Sequence, residues 1–121
     1  MLHRDIKADN ILWRDNGDIK IADLGLSVFL TEQQQFRNSK KGTSKNMIIG
    51  TPSWFSPEIA QGVYYSKEVD VWAFGCFAYE LATGNTPFHN YLAGGSLISA
   101  IISQDVPAIP ERWSADFSDF I

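Results

Sequence analysis

The sequence predicts an α+β chain, mostly α, and two patterns carry that expectation. An apolar run Ile11-Leu12-Trp13, the turn residues Asp15-Asn16-Gly17-Asp18 and an alternating Ile19-Lys20-Ile21 read as one small β-hairpin over Asn10–Ile21. Further along, Val71, Trp72, Phe74, Phe77, Tyr79 and Leu81 lie almost all round a helix over Asp70–Thr83, the pattern of a buried central helix. Gly84 stands where a C-cap glycine ends such a helix.

The remaining elements come in order. Between Thr31 and Asn46 the composition turns polar, so this stretch is expected to be a mobile loop. Pro57 suits a first helical turn and Gly62 a C-cap, which gives a short helix between them. Leu97, Ile98, Ala100, Ile101 and Ile102 suggest a helix over Ser96–Ser103, and Pro107 and Pro110 interrupt the chain after it. Ser114 caps a last helix carrying Phe117, Phe120 and Ile121, and the end of the chain inside an apolar helix reads as a truncation. No internal repeat is visible.

With 121 residues the chain is long enough for one small unit, taken as a single domain over 1–121. A net charge of −4 leaves no overall basic footprint, which argues against nucleic acid as a partner. Arg37, Lys40, Lys41 and Lys45 cluster inside the polar stretch and are read as a solvated loop. No apolar run is long enough for membrane insertion, and the start of the chain has no signal-peptide core. Cys76, the one cysteine, lies in an apolar run and is expected to be a buried packing thiol in a reducing, cytoplasmic setting.

The chemistry concentrates at His3-Arg4-Asp5-Ile6-Lys7-Ala8-Asp9-Asn10. Asp5 with Asn10 five residues later resembles the catalytic loop of protein kinases. Their phosphoryl transfer to a hydroxyl needs an acceptor for its proton and an in-line approach to the γ-phosphate, which Asp5 can supply. It also needs a divalent metal, and Asn10 offers an uncharged oxygen ligand. Lys7 can reach the transferring phosphate. A hairpin later comes Asp23-Leu24-Gly25, placed so that Asp5, Asn10 and Asp23 converge on one metal–phosphate cluster. Then come Gly50-Thr51-Pro52-Ser53-Trp54-Phe55-Ser56-Pro57-Glu58 and Asp70-Val71-Trp72-Ala73-Phe74-Gly75.

These four segments, in this order, resemble the catalytic loop, the metal-binding Asp-Phe-Gly motif, the end of the activation segment and the central helix of eukaryotic Ser/Thr protein kinases. With Trp113-Ser114, Phe117 and Phe120, the pattern is most similar to the sterile-twenty-like group. The resemblance implies the large, C-terminal lobe of a kinase, truncated at both ends, with the hairpin at its catalytic loop. It implies transfer of the ATP γ-phosphate to Ser/Thr hydroxyls of protein substrates in intracellular signalling. Asp5 is then the base, Lys7 the phosphate contact, and Asn10 and Asp23 the Mg²⁺ ligands. Thr51 is expected to hydrogen-bond Asp5 and Lys7, and Asp70 to hold the His3–Arg4 backbone. Leu12, with Ile11, Trp13, Phe77 and Leu81, is expected in an apolar column beneath the adenine ring. Asp9 and Glu80 stand where acidic groups of some kinases meet basic substrate residues, or else are structural acceptors.

The departures matter too. Leucine replaces phenylalanine in Asp23-Leu24-Gly25, serine replaces alanine at Ser56, and Met47 occupies the usual activating phosphosite. Thr43 or Ser44 is expected to take that role, with Arg4 gripping the phosphate. No glycine-rich loop or strand lysine precedes His3 within this sequence, and no partner arginine for Glu58 comes after it. The 121-residue chain by itself is therefore expected to be inactive. The alternative function is a kinase-like module that binds or regulates without catalysis.

Overall fold

A computed structural model describes residues 1–29, 49–63, 65–91, 94–103 and 113–120. The polar stretch over Thr31–Asn46 lies outside these residues, with Arg37, Lys40, Lys41, Thr43, Ser44 and Lys45. So do Met47, Pro107, Pro110 and Ile121.

The hairpin forms as the turn chemistry predicts. Strands β1 (Ile11–Trp13) and β2 (Ile19–Ile21) pair antiparallel, with Ile11 opposite Ile21, Leu12 opposite Lys20 and Trp13 opposite Ile19. Gly17 takes a φ of 89°, open to glycine at little cost, and its N–H donates to the Arg14 carbonyl at 2.9 Å. Asn16 braces the turn by accepting from the Asp18 N–H through Oδ1 at 3.1 Å. The expected in-and-out alternation of β2 is corrected: Ile19 is 58% exposed, Ile21 is 52% exposed, and Lys20 between them is exposed too. A ladder of two three-residue strands has a buried face only where another layer covers it, and no described element covers this one.

Helix α1 (Pro57–Gln61) has its proline in the first turn. Ser56 is its N-cap, accepting from the Ile59 N–H at 3.5 Å, and Gly62 closes it in the left-handed conformation. Helix α2 (Glu68–Thr83) starts two residues earlier than the apolar pattern marks, because Ser66 and Lys67 carbonyls already accept from Val69 and Asp70. Gly84, with φ 79°, ends it by donating to the Glu80 carbonyl at 2.7 Å. Helix α3 spans Gly95–Ser103, one residue longer than expected. Helix α4 (Ala115–Phe120) is capped by Ser114, whose hydroxyl accepts from the Phe117 N–H at 3.2 Å.

The core lies where α1, α2, α3 and the 3₁₀ turn Pro52–Trp54 meet. Phe55, Ile59, Ala60, Val69, Phe88, Leu97, Ala100 and Ile101 form it, with Tyr65, Trp72 and Ile98 packed around them. Ile101 is 1% exposed, so its truncation to alanine costs about 2–5 kcal/mol. Helix α2 is buried round most of its circumference, Ala78 and Tyr79 included, but not all of it, which corrects the all-round burial expected of it. Val69, Ala73, Cys76, Phe77 and Ala82 are buried, but Val71 is 70% and Leu81 63% exposed. Burial on the inner side pushes the Cys76 thiol up to about 12, so it stays protonated and inert.

One bridge closes the N-terminal segment on itself, and one side chain ties it to this core. Leu2 and Val28 exchange backbone hydrogen bonds at 2.8 and 2.9 Å as an isolated antiparallel bridge. Asp70, in the first turn of α2, reaches the segment between them.

Candidate active site

Asp70 accepts from the His3 N–H at 2.7 Å and from the Arg4 N–H at 2.9 Å. A carboxylate that takes two backbone donors fixes the local chain, since charge-assisted hydrogen bonds are the stronger kind. Arg4 is held there in the left-handed region, at φ 68°, an unfavourable conformation for a residue with a side chain. Its Nε donates to the Leu26 carbonyl at 2.7 Å, tying the loop to the 3₁₀ turn Leu24–Leu26.

The buried His3 ring adds a tie that the sequence pattern did not suggest. Its Nδ1 accepts from the Asp5 N–H at 3.3 Å, which leaves Nε2 protonated to donate to the Ala22 carbonyl at 3.0 Å. One imidazole thus orients Asp5 and anchors the chain one residue before Asp23. The only sequence signal for this was a histidine next to a motif arginine.

Asp5 is the hub. Its Oδ1 accepts from the Thr51 hydroxyl at 2.8 Å, and its Oδ2 lies 3.1 Å from Lys7 Nζ and 3.2 Å from Asn10 Nδ2. Lys7 Nζ also donates to Thr51 Oγ1 at 3.0 Å, which closes a triangle across 46 residues of sequence. The 3₁₀ turn Ala8–Asn10 carries Asn10 back under the loop, where Nδ2 donates to the Asp5 carbonyl at 2.8 Å. Burial alone would raise the Asp5 carboxyl. The hydrogen bonds from Thr51 and Lys7, the charge of Lys7 and the amide of Asn10 outweigh burial and hold it below the usual carboxylate range.

Asp5, Lys7, Asn10 and Thr51 therefore come together in one polar network. Asp23 sits beside it through the backbone: the Ala22 N–H donates to the Asn10 carbonyl at 2.8 Å. Asp23 is left-handed, at φ 61°, and its Oδ1 caps the Leu24–Leu26 turn by accepting from the Gly25 N–H at 3.1 Å. Both Asn10 bonds to Asp5 use Nδ2, which leaves the amide oxygen available to a ligand. One carboxylate and one amide oxygen suit Mg²⁺, which takes few protein ligands and completes its shell with phosphate and water. Leu12 is outside this network, on β1 and 54% exposed.

Glu80, on α2, is pushed above its ordinary value by burial and by the negative charge of Asp9, with a smaller opposing effect from the Trp54 indole. The facing atoms, Trp54 Nε1 and Glu80 Oε2, are buried, and neither makes a hydrogen bond within 3.5 Å among the described residues. The two acidic residues singled out in the sequence are thus near enough to repel one another.

The protein kinase domain family matches residues 1–121, the whole chain. The chain belongs to that family. Among similar proteins, the serine/threonine-protein kinases pakA and pakC of Dictyostelium discoideum are 39% and 38% identical over 99% and 98% of the chain. The serine/threonine-protein kinase cst-1 of Caenorhabditis elegans is 37% identical over 99%. The chain spans 9%, 24% and 23% of the lengths of these three relatives. Serine/threonine kinase relatives along the whole chain agree with the family that its motifs resemble, and the likeness to the sterile-twenty-like group stands with it. Among the described residues no helix is long and apolar enough to cross a membrane.

Proposed function

We propose that this chain is the catalytic-loop part of a protein kinase large lobe, and that the intact protein transfers the ATP γ-phosphate to Ser/Thr hydroxyls of protein substrates. The triangle of Asp5, Lys7 and Thr51 carries this reading, because it presents a carboxylate and an ammonium side by side at one point.

In this mechanism the substrate hydroxyl oxygen attacks the γ-phosphorus, its proton passes to Asp5, and ADP leaves. A carboxylate offers about four lone-pair sites, and Thr51, Lys7 and Asn10 occupy three, which leaves room for the substrate O–H. Asp5, kept ionised, orients that hydroxyl and takes its proton late in the transfer. Lys7 uses two N–H groups on Asp5 and Thr51 and has one left for a γ-phosphate oxygen. Asn10 and Asp23 would hold Mg²⁺, which supplies charge neutralisation on the phosphates when bound. Leu12, exposed on β1, would lie against the adenine. The binding-only alternative is less economical, since it gives no role to an intact Asp5–Lys7–Asn10 constellation.

The test is a phosphotransfer assay of the intact protein with Mg-ATP and peptides that differ only in Ser, Thr or Tyr as acceptor. Transfer to Ser and Thr, abolished by chelation of Mg²⁺, is the expected result. Transfer to Tyr alone, or none with any acceptor, would overturn the reading.

A further inference from the structure

We propose that Gly50 is a positioning residue that sets where Thr51 meets Asp5, by allowing a backbone approach that any side chain would block. This rests on the phosphoryl-transfer reading above. A Cβ added at Gly50 would lie 2.5 Å from the Arg4 carbonyl oxygen, 3.4 Å from Phe55 Cε1 and 3.6 Å from Asp5 Oδ1. The first of these is well inside contact distance, and the atom it meets is backbone rather than the end of a flexible side chain.

Arg4 cannot readily move away. Its N–H is held by Asp70, its Nε by the Leu26 carbonyl, and its own φ is already positive. The Gly50 side must therefore yield, and Gly50 is joined directly to Thr51. The Thr51 hydroxyl bridges Asp5 and Lys7 at 2.8 and 3.0 Å, so a displacement of about 1 Å away from them carries both bonds beyond hydrogen-bond distance. Gly50 also has φ +110°, a conformation that side chains rarely adopt.

The other described glycines separate space from conformation. Gly17, Gly62, Gly84 and Gly94 also have positive φ, yet an added Cβ at any of them meets nothing within 4 Å. Gly62→Ala thus imposes left-handed strain alone, whereas Gly50→Ala imposes strain and a collision above Asp5.

The experiment uses the intact protein and three variants: Gly50→Ala, Gly62→Ala and Thr51→Val. Circular dichroism and thermal melting monitor folding. Gly50→Ala is expected to stay folded and to lose about a hundredfold in kcat, the cost of a misplacement near 1 Å, with KM for ATP unchanged. Gly62→Ala keeps kcat. Thr51→Val matches the loss, and adding Gly50→Ala to it lowers kcat no further, because both act through one hydroxyl. A second readout needs no activity: acylation of Lys7 by an amine-reactive reagent, followed by mass spectrometry, runs faster in Gly50→Ala and not in Gly62→Ala.

Normal kcat and Lys7 reactivity in Gly50→Ala would overturn the proposal. So would an unfolded Gly50→Ala, which would make Gly50 a support of the fold, or additive losses in the double variant. An intact protein that transfers no phosphate, with Lys7 acylation still faster in Gly50→Ala, would overturn the kinase reading and leave the positioning claim supported.

Discussion

The polar loop over His3–Asn10 and the hairpin next to it are neighbours in sequence, but they are stabilised in opposite ways. The loop is tied to distant parts of the chain: to Asp70 on α2, to Thr51, to Ala22 and to Leu26. The hairpin is held by its own ladder and turn, and it leaves Trp13 74% and Leu12 54% exposed. The contrast teaches that the Asp5 loop takes its shape from distant, mostly polar ties, whereas the hairpin takes its shape locally and leaves apolar side chains exposed among the described residues.

Asp70→Ala should break the first half of this contrast most severely. It removes the acceptor of two part-buried N–H groups and frees the strained Arg4, so the intact protein should lose about 2–5 kcal/mol in denaturant unfolding. A loss under about half a kcal/mol would mean that α2 does not anchor the loop. Leu12→Ala addresses the hairpin. It should raise KM for ATP about tenfold, the equivalent of ~1.4 kcal/mol of lost apolar contact, and leave kcat and melting temperature unchanged. A KM that does not move would assign the exposed strand to some other contact.

Ser56→Ala sharpens the comparison from the side of the core. Loss of the fully buried N-cap of α1 should cost about 1 kcal/mol, read as a shift in denaturation midpoint at constant slope. The smallest effect concerns pH. Thr51 is among the groups that hold the Asp5 carboxyl below its usual range, and in the proposed mechanism Asp5 acts ionised. Activity therefore disappears as pH falls through the Asp5 value. Thr51→Val raises that value, so the acid limb of the kcat profile, scaled to its plateau, should move to higher pH. A limb that stays in place would mean that Thr51 does not tune Asp5.

Much of this molecule was legible in the sequence because its signals are local. Turn residues Asn16 and Gly17, Pro57 in a first helical turn, the N-cap Ser114, and Gly62 and Gly84 as C-caps fix element ends through short-range rules. The spacing of Asp5, Lys7 and Asn10 likewise lies within one loop and a 3₁₀ turn. Thr51 and Asp70 could be linked to that loop only through the resemblance, since no local rule pairs residues 46 or 66 positions apart. Burial was read less well. The periodicity of α2 shows which residues are apolar, but whether Val71 and Leu81 are covered depends on what packs against them. The positive φ of Arg4 and the close approach at Gly50 carry no sequence mark, and the His3 ring contacts only that of a histidine beside a motif arginine, because each arises from segments that meet only in the fold.

The most direct test of the central claim is kcat for the intact protein carrying Asp5→Asn, with Mg-ATP binding measured on the same sample. If Asp5 orients and deprotonates the acceptor hydroxyl, kcat should fall by roughly 10²–10⁴ while the ATP dissociation constant is unchanged. Full turnover in Asp5→Asn would contradict the assignment of this loop as the phosphoryl-transfer site.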